Sequence, residues 1–137
     1  MRVTSTLTAN LVSTLLLLSS ASARIVGVSA PPTVYGYNPF NVSLITQEYS
    51  QSVYDVAAAF GVAPGAGYPD TLGSIMASEY LGPANSNTLS LITFTVTLPQ
   101  GTQNGQYTLS ASVMSLYGVT YEPVLSPFNT TITVTGF

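Results

Sequence analysis

Between residues 91 and 98 the chain reads Leu-Ile-Thr-Phe-Thr-Val-Thr-Leu, threonines alternating with apolar residues at a period of two. A helix has no use for that pattern, whereas a strand with one wet and one dry face requires it. Similar segments recur, each closed by Pro, Gly or Asn. Residues 24–29, 40–46, 52–62, 74–81, 106–116 and 128–135 read as extended, although Ala57-Ala58-Ala59 also suits a helix. Their spacing favours an all-β, immunoglobulin-like antiparallel β-sandwich of about seven strands over a βαβ fold. Within 52–62, strict alternation puts Tyr54, Val56, Ala58 and Phe60 on one face and Asp55 on the other.

Asn104-Gly105-Gln106-Tyr107-Thr108-Leu109 has the form of a strand entry in which a tyrosine hydroxyl folds back onto the preceding corner. Leu109 then occupies an inward position where antibody domains carry cysteine. With no tryptophan in the chain, Tyr54 or Phe60 must fill the central core site.

The N-terminus follows a different logic. Arg2 precedes the apolar run 11–18, and Ala21-Ser22-Ala23 supplies the small-x-small pattern that signal peptidase accepts. Residues 1–23 are expected to be a signal peptide, cut between Ala23 and Arg24, with residues 24–137 a single domain. The apolar run is far shorter than the ~20 residues of a spanning helix, so no membrane anchor is expected.

Beyond residue 23 the only basic side chain is Arg24, against five acids: Glu48, Asp55, Asp70, Glu79 and Glu122. A chain so poor in cations has no footprint for nucleic acid and little attraction to anionic membranes. There is no His, Cys or Lys, so acid–base work near neutrality, imidazole or thiolate metal sites and Schiff-base chemistry lack their usual agents. No cofactor and no enzymatic activity are expected. A paired-carboxylate glycosidase could draw only on acids such as Asp70 and Glu79, and the five acids read more simply as solvated surface groups. Without disulfides the domain depends on its core alone.

Loop aromatics are the remaining candidates for contact. Sandwich topology gathers Tyr35, Tyr37 and Tyr68 at one end, with Tyr49 and Tyr121 at the other. Exposed tyrosines stack on sugars or anchor protein partners, and they also serve as lids over a core. Asn41-Val42-Ser43 and Asn129-Thr130-Thr131 are legal N-glycosylation acceptors.

The segments Gln51–Gly61, Ala63-Pro64-Gly65, Gly67-Tyr68-Pro69, Leu72-Gly73-Ser74, Tyr80-Leu81-Gly82-Pro83 and Ser115-Leu116-Tyr117-Gly118 resemble the necrosis-inducing secreted protein family of filamentous fungi. The resemblance extends over residues 21–137. It implies a secreted effector, acting at the host interface or inside host cells, that binds plant receptor-like kinases or their co-receptors. Such an effector would dampen pattern-triggered immunity and could provoke cell death. Inhibition by binding, by a monomer, is the expected mode. Tyr68, Pro69 and Asp70, with Tyr35 and Tyr37, are the candidate contacts; a cell-wall or glycan-binding module is the alternative.

Overall fold

The computed structural model describes residues 22–137; most of the expected signal peptide lies outside the described residues. Eight strands form two packed sheets: β1 (Ala23–Ser29), β2 (Thr33–Tyr35), β3 (Phe40–Glu48), β4 (Val53–Pro64), β5 (Ser74–Tyr80), β6 (Ile92–Val96), β7 (Gly105–Tyr117) and β8 (Glu122–Thr135). The smaller sheet has the order β1-β3-β6 and the larger β2-β8-β7-β4-β5. All pairings are antiparallel except β2 with β8, which run parallel. This is the expected immunoglobulin-like sandwich with one strand more than the sequence reading found. Pro31-Pro32 marks a stop in sequence, but here the chain leaves one sheet at that point and joins the other. Pro32 keeps its carbonyl for the Thr133 N–H, 2.8 Å away.

The core lies between the sheets. Val42 and Leu44 of β3 face Phe60, Leu109, Val113 and Ile132 of the larger sheet, all fully buried. Phe60 fills the central position and packs against Phe94 with ring centroids 6.1 Å apart. Tyr54 does not compete for that place. Between Asp55 and Ala57 the register of β4 against β7 shifts by one residue, so Val56 is a bulge. A bulge reverses the parity of the strand. Val53 and Asp55 therefore point inward on one side of it, Ala58 and Phe60 point inward on the other, and Tyr54 turns out. The expected grouping of Tyr54 with Phe60, and Asp55 on the outer face, is corrected by that single extra residue.

Tyr107 makes the corner anticipated from its sequence context. Its hydroxyl accepts the Gln103 N–H at 3.0 Å, four residues upstream, and its ring is buried. Leu109 follows at the inward position. The Ala57-Ala58-Ala59 run is strand, because paired strands on both sides take up its backbone groups.

With no disulfide, truncation in the core should be felt directly. Phe60→Ala should cost about 3–5 kcal/mol in denaturant unfolding. Tyr107→Phe, which removes only the corner hydrogen bond, should cost about 1 kcal/mol.

Candidate functional site

The five acids do not all lie at the surface. Asp55 is 1% exposed, and its carboxylate accepts a hydrogen bond from Ser115 Oγ at 2.5 Å. Its backbone holds the segment after β5: Gly82 donates to the Asp55 carbonyl at 2.9 Å, and Asp55 N–H donates to Ser86 Oγ at 2.7 Å. Ser86 in turn donates to the Gly82 carbonyl at 2.6 Å, closing a knot around the 3-10 turn Pro83–Asn85. Burial pushes the Asp55 carboxyl above its ordinary value, opposed by hydrogen bonds from Ser115 and the Asn87 backbone.

Beside this knot lies the only cation among the described residues. Arg24 sits over the Tyr49 ring, 4.4 Å from its centroid, and Tyr49 meets Tyr117 edge-on at 5.6 Å. Burial raises the Tyr117 hydroxyl, with Arg24 acting in the other direction. Arg24 Nε is buried and has no hydrogen-bond partner among the described residues. The guanidinium is thus spent on holding β1 to this end of the sandwich, where it serves packing more than recognition.

The tyrosines divide by role. Tyr37 is a lid: its ring meets Phe137 edge-on at 4.7 Å, and its hydroxyl accepts the Gly101 N–H at 3.3 Å. Tyr35 is exposed nearby at the end of β2. Tyr68, at 73% exposure, belongs to the 65–73 connection, which starts at the same end of the larger sheet and folds back onto its outer face. Two glycines permit that close approach. A Cβ on Gly61 would collide with the Leu72 carbonyl, and one on Gly73 with the Val62 carbonyl. At the opposite end, Tyr121 and Tyr54 border a notch of about 660 Å³ with Pro83, Asn87 and Val119.

The outer face of the larger sheet is a second candidate surface. Strand register arranges it in rows: Tyr80, Ala57, Met114 and Leu125; then Ser78, Ala59, Ser112 and Pro127; then Ile75, Gly61, Ser110 and Asn129. None of these side chains is charged. Small residues form the floor, while Ile75, Tyr80, Met114 and Leu125 stand exposed around it. Tyr54 and Tyr80 share a hydroxyl–hydroxyl hydrogen bond of 3.1 Å at one corner, and that bond raises the Tyr54 hydroxyl. At the other corner Tyr68, Pro69 and Asp70 wall a groove of about 700 Å³, with Leu125 and Asn129 opposite.

The candidate contacts Tyr68, Pro69 and Asp70 are thus brought together, and Tyr35 and Tyr37 do not join them. Asp70 borders the groove; Glu79 lies along β5 opposite Ala58 and is not part of its wall. Both sequon asparagines are exposed on opposite sheets, Asn41 accepting a hydrogen bond from Thr95 Oγ1 at 2.9 Å. Among the described residues no three His, Cys, Asp or Glu gather as metal ligands, and no helix is long and apolar enough to cross a membrane. The outer face escaped the sequence reading because its residues come from four strands whose mutual register is set by two bulges.

Residues 21–133 match the model of the Nis1 family. The chain is 47% identical over 119 residues to Necrosis-inducing secreted protein 1 of Colletotrichum higginsianum, covering 86% of this chain and 83% of that protein. It is 45% identical to the protein of the same name from Colletotrichum orbiculare, covering 86% and 74%. In fold it is similar to a variant form of superoxide reductase (neelaredoxin) from Ignicoccus hospitalis, with a TM-score of 0.52, 16% identity and 86% of each chain covered. That likeness is one of fold alone.

Asp55 gives the site a pH signature. A carboxyl raised in the folded state stabilises the fold fully below its unfolded value, about 3.9. That contribution is lost as pH rises through the folded value. Melting temperature should therefore fall as pH is raised above about 4, and Asp55→Asn should flatten the slope. Thermal melts from about pH 4 to 8 read both.

Proposed function

The chain belongs to the Nis1 family, and from that premise we propose that it is a secreted fungal effector that dampens plant pattern-triggered immunity. It does so by binding and inhibiting receptor-associated kinases, and it provokes host cell death. The names of its Colletotrichum relatives support secretion and necrosis induction. The observation that supports a binding mode is the uncharged outer face of the larger sheet, with exposed Ile75, Tyr80, Met114 and Leu125 around a floor of Ala57, Ala59 and Ser112.

Such a face suits a protein surface on energetic grounds. Covering exposed large apolar side chains yields about 25 cal/mol per Å² of area removed from water. The absence of charge means that no ion has to be desolvated without a partner. Aromatic anchors at the corners, Tyr54 with Tyr80 and Tyr68 in its loop, fit the usual make-up of an interface core. In this reading the protein occupies a kinase surface and carries out no chemistry of its own.

The test is to mix the secreted protein with the kinase domain of a plant immune co-receptor and to measure complex formation and phosphorylation. Inhibition is expected, and Leu125→Arg should weaken it at least about tenfold without changing the melting temperature, since that side chain is exposed. Thr93→Arg, on the outer face of the smaller sheet, should leave it unchanged. Retention on chitin or plant wall polymers, with no kinase complex, would instead establish the glycan-binding alternative.

A further inference from the structure

The two residues ahead of Arg24 belong to the folded domain. Ala23 opens β1, pairs with Glu48 and is 1% exposed, as buried as any residue of the core. Its N–H donates to Asn87 Oδ1 at 3.0 Å. Ser22 contributes its carbonyl, which accepts the Tyr49 N–H at 2.9 Å. The Asn87 contact matters beyond β1, because Asn87 adopts a left-handed backbone (φ 52°) and its own N–H supports the buried Asp55 carboxylate. Ala23, Asn87, Asp55 and Ser115 thus form one chain of contacts across both sheets.

Cleavage between Ala23 and Arg24 would break this arrangement. The Tyr49 N–H and Asn87 Oδ1 would lose their partners, the Ala23 methyl would leave a void, and a charged α-ammonium would appear at the head of an edge strand. Leaving polar groups unpaired and packing space empty both oppose folding. Signal peptidase reads an extended chain before folding, and its small-x-small requirement is met three times: by Ala21-Ser22-Ala23, by Ser20-Ala21-Ser22 and by Ser19-Ser20-Ala21. Only the last of these, with its cut after Ala21, keeps both Ser22 and Ala23 in the fold.

We propose that signal peptidase cuts between Ala21 and Ser22, so that the mature protein is residues 22–137. The proposal rests on the secretion part of the reading above. It is independent of any kinase partner.

The experiment expresses the full precursor in a secreting fungal host and determines the mass and N-terminal residue of the protein in the medium. A product beginning at Ser22 is expected. A product beginning at Ala23 or Arg24 overturns the proposal, and a chain retained unprocessed in the cells overturns both the proposal and the reading of secretion. A second variant tests the physical reason. Ser19→Asp puts a charge at the −3 position of the cut after Ala21 only, and should divert cleavage downstream, to one of the two cuts that remove Ser22. That shorter product should melt about 5–10 °C lower. A melt equal to that of the wild-type product would show that Ser22 and Ala23 are dispensable to the fold, and would remove the ground for the proposal.

Discussion

One inserted residue, Val56, governs how the larger sheet presents itself. Period-two alternation through β4 would send Asp55 outward and place Tyr54 beside Phe60 in the core. The bulge shifts the strand by one position against β7, and every side chain before it exchanges faces relative to every side chain after it. Asp55 becomes a buried acid whose backbone grips the 82–86 segment. Tyr54 becomes an outer aromatic that pairs with Tyr80. The wall of the notch and the corner of the outer face both follow from that exchange. A buried carboxyl unpaired with a cation is costly. Here hydrogen bonds from Ser115 and the Asn87 backbone offset the cost, and the segment is held in return.

A sandwich of this size without disulfides has to close its ends by other means. At one end Tyr107 ties its corner and Tyr37 packs over Phe137. At the other, Arg24, Tyr49 and Tyr117 join β1, the β3–β4 turn and β7. Of the aromatics that the residues offer as contacts, Tyr37 and Tyr49 are engaged in these closures, and Tyr35, Tyr68 and Tyr121 stay exposed. Tyr68 is the most exposed of the three. Its loop lies flat on the sheet because Gly61 and Gly73 allow backbone to meet backbone, and its ring is left in solvent beside a groove. The same economy explains the surface. The described residues carry a single cation, so the exposed surface is made of neutral polar groups, apolar area and a few carboxylates.

Much of the architecture was legible in the residues themselves. Alternating Thr and apolar residues can bury one face only as strands, and Pro, Gly and Asn between them mark the turns. The tyrosine corner was readable because its spacing from Asn104-Gly105 is local. Strand β2 was not readable: three residues after Pro31-Pro32 acquire order from parallel pairing with the far end of β8, at Thr133–Thr135. The burial of Asp55 was equally hidden, because a bulge is a property of two strands in register and neither strand alone announces it.

The order of residues along the chain is enough to dictate an all-β sandwich without cysteine, a catalytically poor side-chain inventory and few cations. Composition and period decide such matters, and both are local quantities. Which residues share a face is settled by strand register, which exists once the assembled sheet pairs its strands. It turned Asp55 inward and Tyr54 outward, gathered small residues from β4, β5 and β7 into one floor, and set Tyr68 beside a groove that Tyr35 and Tyr37 do not line. It also drew Ser22 and Ala23 into the fold, since their partners, Tyr49 and Asn87, lie on segments that meet them only once both sheets are assembled.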